Sequence, residues 1–177
     1  MNLRTVQITR FSPSHEPSRV EAGRAIYNAN DNLRALGTGE FKTLAGKAVG
    51  FMALSAEDQP IGVALVEPRV GREPAYLSAL AVLPDLKYRP EAGSHGIGTM
   101  LLDACHAELI MQEKRVVTLQ ATTDAIPFYE KHNYEALEDA TPGLESIWIA
   151  AALTSRIAMP HVRTLTVTLP SGPFGIQ

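Results

Sequence analysis

The sequence predicts an α/β (α+β) fold, and three observations carry that prediction. Three short apolar runs rich in β-formers follow one another between residues 47 and 84; a glycine turn then opens a helical pattern; a further apolar strand follows the helix. The runs make a meander, and the later segments make a strand–turn–helix–strand unit. The chain of 177 residues is within the size of one domain, and its 45% hydrophobic and 20% charged residues are ordinary for a soluble globular protein. A formal charge of −3 supplies no general attraction to nucleic acid or to an anionic membrane. The N-terminal "MNLRTVQITRFSPSHEPSR" has no secretory apolar core, and the longest apolar run elsewhere, 147–153, is too short to cross a bilayer, so the expected location is the cytoplasm. Cys105 is the lone cysteine, which rules out an internal disulfide; its helical setting predicts a buried side chain.

Each element has its own signal. "LRTVQIT" (3–9) alternates as a first strand, and "SRVE" (18–21) is a capping box that predicts a helix from near Ser18. Val20, Ala22, Ile26, Ala29, Leu33 and Leu36 give that helix an apolar stripe, with Asn28, Asn30, Asp31 and Asn32 as its solvated side. "KAVGFMALS" and "PIGVALVEP" flank a turn near Glu57 to Gln59, and "AYLSALAVLP" follows the break at 71–74. From Gly98 to about Lys114 the apolar spacing is helical, and "RVVTLQAT" is a buried strand. Asp124 is expected to cap a second helix with Pro127 in its first turn, and Asn133 to close it in the left-handed conformation. Tyr134 then begins a strand, and "SIWIAAAL" supplies the last strand of a core domain spanning 1–153. Residues 154–177 read as a C-terminal extension that carries Arg156, His161 and Arg163, no acidic residue, and an extra strand in "RTLTVTL". The edge of that strand could join a neighbour's sheet and form a homodimer.

A glycine turn that leaves a strand and enters a helix aims unpaired N–H groups at one point, where the helix dipole adds partial positive charge. Gly96 and Gly98 remove side chains from that point, and Thr99 offers a hydroxyl from the first helical turn. A plain connector remains open on the loop alone. A Walker nucleotide loop does not fit, because Gly98 is followed by Thr99 and Met100 rather than by lysine and a hydroxyl residue.

Two motifs in order give a resemblance to the GCN5-related N-acetyltransferase superfamily. "LAVLP" (80–84) followed by "HGIGTMLL" (95–102) resembles that family's strand and pyrophosphate loop, and "AIPFYEKHNY" (125–134) is similar to its A-x-x-F-Y-E-K-x-G-F/Y segment. The resemblance covers roughly residues 3 to 153 and implies a mixed, mostly antiparallel central sheet of about six to seven strands flanked by helices. It also implies acetyl-CoA as co-substrate and transfer of the acetyl group to a primary amine, on a small molecule or a peptide, in a ternary complex. The backbone of Leu80, Ala81 and Val82 would pair with the pantetheine arm, and His95, Gly96, Ile97, Gly98 and Thr99 would hold the pyrophosphate. Tyr129 matches the tyrosine that protonates the departing thiolate, and Thr122 replaces an asparagine that often touches the cofactor. No metal-ligating set stands out.

The incoming ammonium must lose a proton before it attacks. Glu67, ending the second run of the meander, is the candidate base, with Glu73 before the third run as another carboxylate near the mouth and His95 placed beside the cofactor, and none is marked as a dedicated base. The chain departs from the pattern at Gly93, where the family's loop begins with arginine or glutamine, and in a longer loop in which Lys87 or Arg89 could reach a phosphate. Two other readings stay open: a coenzyme A-binding regulatory module with little turnover, and an effector or toxin that acetylates a protein or an aminoacyl-tRNA.

Overall fold

The computed structural model describes residues 6–34, 41, 45–71, 73–86, 96–136 and 162–168. Among them the chain runs β1 (Gln7–Phe11), α1 (Pro17–Asn28), α2 (Asp31–Arg34), β2 (Val49–Leu54), β3 (Pro60–Glu67), β4 (Ala75–Val82), a 3-10 turn (Pro84–Leu86), α3 (Ile97–Met111), β5 (Val116–Thr122), α4 (Ile126–Lys131), β6 (Glu135–Ala136) and β7 (Val162–Thr168). The seven strands form one sheet in the order β1-β2-β3-β4-β5-β7-β6, antiparallel throughout except for the parallel β4–β5 pair. This is the mixed, mostly antiparallel sheet flanked by helices that the motifs imply.

The two faces of the sheet carry separate cores, because alternate strand residues point to opposite sides. On one face Val20 and Ile26 of α1 pack with Met52, Val63 and Leu65; on the other Ile97, Leu101, Leu102, Cys105 and Leu109 of α3 pack with Phe51, Ala53, Ala64, Val66, Val117 and Leu119. Full burial of each large aliphatic side chain contributes about 1.5–3 kcal/mol. Both helices lie close to β3 because it faces a glycine on one side and carries one on the other: a Cβ on Gly23 would come within 3.0 Å of Val63, and a Cβ on Gly62 within 2.9 Å of Leu101. Arg10 of β1 ties down the far end of α3 with two hydrogen bonds to Glu108, at 3.0 and 3.1 Å.

One irregularity sets up the site. Leu65 pairs with Ala79 but Val66 pairs with Leu77, so Ser78 is an extra residue on β4, with its hydroxyl donating to the Leu65 carbonyl at 3.2 Å. A bulge of this kind shifts the alternation by one. Ala75 and Leu77 accordingly face the α3 core, whereas Ala79 and Ala81 face the α1 core.

Several local expectations need correction. The first helix starts at Pro17 with Glu16 as its N-cap, and no capping box forms at Ser18. Proline at the first helical position has the right φ and no N–H to satisfy, so it outcompetes the serine one residue later. The same helix stops at Asn28 rather than running to Leu36. Asn30, read as solvated, is 3% exposed, and its amide donates to the Ile26 carbonyl at 2.9 Å, a local bond that competes with helix continuation. The strand "RTLTVTL" is no appendage: β7 pairs with all seven residues of β5 and separates it from β6. Its β5-facing edge is therefore satisfied within the chain, which removes that edge from any dimer contact. The strand expected in "SIWIAAAL" lies outside the described residues.

Candidate active site

β4 and β5 are hydrogen-bonded over only three residue pairs, Ala75–Val117, Tyr76–Thr118 and Leu77–Leu119. Beyond Leu77 the two parallel strands part, so the second half of β4 keeps β3 as its neighbour and loses β5. Which backbone groups face the opening follows from alternation. The Leu83 N–H donates to the Ile61 carbonyl at 3.0 Å, so residues 83 and 81 turn their polar groups to β3, and residues 80 and 82 turn theirs away. Leu80 and Val82 thus present backbone donors and acceptors to the opening, while the N–H and C=O of Ala81 are spent inside the sheet. This is an edge of the kind that an extended ligand can join as an added strand.

At the end of that edge stands the start of α3. Gly96 is its N-cap, exposed and extended (φ −63°, ψ 157°), with no side-chain cap. The first intrahelical bond runs from the Met100 N–H to the Gly96 carbonyl at 3.1 Å. The N–H groups of Ile97, Gly98 and Thr99 have no acceptor among the described residues, as the first turn of a helix requires. Among the described residues a Cβ on Gly96 would meet nothing within 4 Å, whereas one on Gly98 would lie 3.4 Å from the Phe128 ring. Gly98 is therefore used to seat α4, and no described residue packs where a side chain at 96 would begin. His95, Lys87 and Arg89 lie outside the described residues.

Phe128, resting on Gly98, sets the next residue beside α3. Tyr129 is 7% exposed and packs edge-on against Phe128 (5.1 Å between ring centres) and Tyr134 (5.4 Å). The end of α4 fixes this cluster. Asn133 adopts φ 63°, its N–H donates to the Glu130 carbonyl at 3.0 Å, and the Tyr134 N–H donates to the Tyr129 carbonyl at 3.1 Å. These two bonds and the Tyr129–Tyr134 contact are the features of a Schellman cap, with asparagine in glycine's place, as the sequence predicts. The beginning of α4 differs from expectation: Ala125, not Asp124, is the N-cap, although Pro127 does lie in the first turn.

Burial pushes the Tyr129 hydroxyl well above the ordinary tyrosine range, and Cys105 and Tyr76 add to the effect. The phenol therefore stays protonated and is a donor at neutral pH. Burial likewise pushes up the Cys105 thiol, which removes it as a nucleophile. Tyr134 is raised by burial too, and its hydroxyl is hydrogen-bonded to His106 Nε2 at 2.8 Å. Thr122 is buried at the end of β5, and its carbonyl accepts the Ala125 N–H at 2.9 Å, which starts the turn into α4. Glu67 is half-buried at the end of β3, paired in register with Tyr76. Tyr76 lies in the stretch where β4 is still joined to β5, so Glu67 stands beside the closed end of the opening.

Two residues escaped the sequence reading. The Asn30 amide donates to the Val82 carbonyl at 3.1 Å, so α1 occupies one of the four backbone groups that face the opening. The two carbonyl partners fix the amide's orientation, and its Oδ1 is left buried without a partner among the described residues. His132 lies against Thr99, with 3.1 Å between Nε2 and Oγ1. Neither had a signal in one sequence, because an asparagine after a helix and a histidine near a helix end are ordinary surface residues.

Comparison with known proteins agrees with this geometry. Residues 43–136 match the acetyltransferase (GNAT) domain family. Among solved structures, Tetrahymena GCN5 superposes with a TM-score of 0.67 at 14% identity, over 94% of this chain and 96% of that one. The ribosomal-protein-S18-alanine N-acetyltransferase of Escherichia coli gives 0.66 at 16% identity, over 98% and 99%. The PaiA N-acetyltransferase of Thermoplasma acidophilum, solved in complex with coenzyme A, gives 0.60 at 11% identity, over 93% and 99%. No curated protein matches the sequence. With the family's domain matched over more than half of its length, on a sheet that opens beside a glycine-started helix, this chain belongs to the GNAT acetyltransferase family.

Proposed function

We propose that the protein transfers an acetyl group from acetyl-CoA to a primary amine by direct attack in a ternary complex. The observation that carries this is the parting of β4 and β5 after Leu77, which opens the Leu80 and Val82 backbone between an exposed helix N-terminus and a buried tyrosine. The pantetheine arm pairs with that edge, and its pyrophosphate takes the N–H groups of residues 97–99. The amine nitrogen attacks the thioester carbonyl carbon, the carbonyl π pair moves to oxygen, and on collapse the C–S bond breaks. The sulfur leaves with that bond's electron pair and receives the Tyr129 proton. The thiolate, whose conjugate thiol has an ordinary pKa of about 8.5, is a weaker base than the buried tyrosinate, so the transfer requires the donor held against the sulfur; the Schellman cap of α4, which fixes where Tyr129 stands, supports that role. The tyrosinate recovers a proton from the nitrogen through solvent.

The acceptor is an amine on a small molecule or a peptide. Tyr129→Phe keeps the ring packing and removes the proton, so kcat should fall by about a hundredfold with acetyl-CoA affinity unchanged. Thioester consumption measured with an amine panel checks this; full activity in the variant would assign the proton to water. Glu67→Gln tests the base: loss of the low-pH limb of the rate profile would give Glu67 that role, and an unchanged profile would assign deprotonation to solvent.

A further inference from the structure

The contact between α4 and the first turn of α3 has a directional chemistry. His132 Nδ1 lies 2.7 Å from the Phe128 carbonyl. A carbonyl only accepts, so Nδ1 carries its hydrogen in either charge state of the ring. In the neutral ring Nε2 is then a bare lone pair, and the Thr99 hydroxyl 3.1 Å away must be the donor. Its hydrogen is turned toward the histidine, away from the open N-terminus. In the imidazolium Nε2–H donates, Thr99 Oγ1 accepts, and the hydroxyl hydrogen is released to point out of the helix. A positive charge appears one side chain behind it.

We infer that His132 is a positioning residue of the anion site: its protonation converts Thr99 from a spent donor into one available to a diphosphate, so proton uptake and ligand binding strengthen each other. This rests on the coenzyme A reading above. The surrounding ionisable groups are compatible with it. On α3, His106 is held below the ordinary histidine range by burial, with Asp103 acting to raise it and His132 to lower it. Its own ring nitrogen is committed to Tyr134, so it stays neutral near pH 7. On α4 the flanking Glu130 and Lys131 are exposed and of opposite sign. By reciprocity, whatever factor the proton adds to affinity, the ligand adds to proton affinity.

The probe is 3′-dephospho-coenzyme A, whose diphosphate diester does not itself titrate near neutrality. Calorimetric titrations of the wild type between about pH 5 and 8, where an imidazole titrates, should show affinity rising about five- to tenfold as pH falls, within the usual range of coupling between sites. His132→Gln should still bind, with a flat profile, and Thr99→Val with a shallower one, since the imidazolium charge remains when the hydroxyl is removed. In the wild type, imidazole 15N shifts should report a higher pKa for His132 with ligand than without, a rise that Thr99→Val reduces. An equal slope in wild type and His132→Gln, or a His132 titration indifferent to ligand, overturns the inference while leaving the coenzyme site intact. Absence of binding at every pH would overturn both.

Discussion

Gly96 and Gly62 lie against opposite ends of the same question about α3. Beneath the helix, Gly62 is a glycine because Leu101, Ile97 and the Ala81 carbonyl leave no room for more; in front of it, Gly96 has no described residue within 4 Å of where a side chain would begin. The first is required by the fold. The second is not, since its φ of −63° suits any residue. Among the described residues no packing contact requires glycine at position 96, and the N–H groups of the first turn have no acceptor there, which is why the proposed function places an anion at this point.

The largest effect that tests the contrast is Gly96→Glu. On the proposed function, a carboxylate at the place assigned to the pyrophosphate should weaken acetyl-CoA binding by at least about a hundredfold, since like charges placed together cost several kcal/mol. The same charge at a helix N-terminus is neutral or slightly favourable to folding, so calorimetric binding should be lost with the melting temperature held or raised. Unaltered binding would break the comparison. Gly62→Val should do the opposite, with a loss of about 1–3 kcal/mol from overpacking, read by urea unfolding, and retained affinity in the folded fraction.

Acid separates the two ends of α3 in another way. Arg10 holds the Glu108 carboxyl below the usual carboxylate range, and Gln112 helps. A depressed folded-state pKa means that this stability is present above the unfolded pKa, near 4, and is lost as pH falls through the lower folded value. Arg10→Ala should cost about 1–2 kcal/mol at pH 7, given the exposure of the arginine, and should flatten the acid limb of stability without altering ligand affinity. The smallest effect concerns a place where glycine is missing. Glu113 closes α3 at φ 58°, with its N–H and that of Lys114 bonded back to Ile110 and Leu109 at 3.0 and 2.9 Å. Glu113→Gly should gain about 0.5–1 kcal/mol by relieving the left-handed strain, less what the freer unfolded chain takes back. A loss would mean that Glu113 makes a compensating contact.

Signals confined to a few neighbouring residues were legible. The hairpin turn appears at Asp58, with φ 57°, and Asn133 closes α4 as its sequence context predicts; both follow from local backbone preference. Gly96 and Tyr129 were singled out through spacing and family resemblance together, and the structure sets them at the start of α3 and on α4 beside it. What escaped depends on contacts distant in sequence. The Asn30 bond to Val82 spans 52 positions and the Thr99–His132 bond 33. Alternation could have removed Ala81 from the binding edge, but only once the bulge at Ser78 had fixed which way each residue turns. β7 was misplaced for the same reason: a strand's position in a sheet is a property of its partners, and periodicity says nothing of them.

That position bears on how the chain comes to be folded. β5 is joined to β4 by three pairs and to β7 by seven, so most of what holds β5 in the sheet arrives 40 to 52 residues after it. During synthesis, which runs from the N-terminus, the meander can assemble while β5 still offers an apolar, unpaired edge, "VVTLQAT", of the kind that pairs with other chains. Closure waits for Val162–Thr168, and contacts at such separation are slow to form. The β5 wall of the opening is thus completed only when Val162–Thr168 is in place, together with the short β6–β7 pairing.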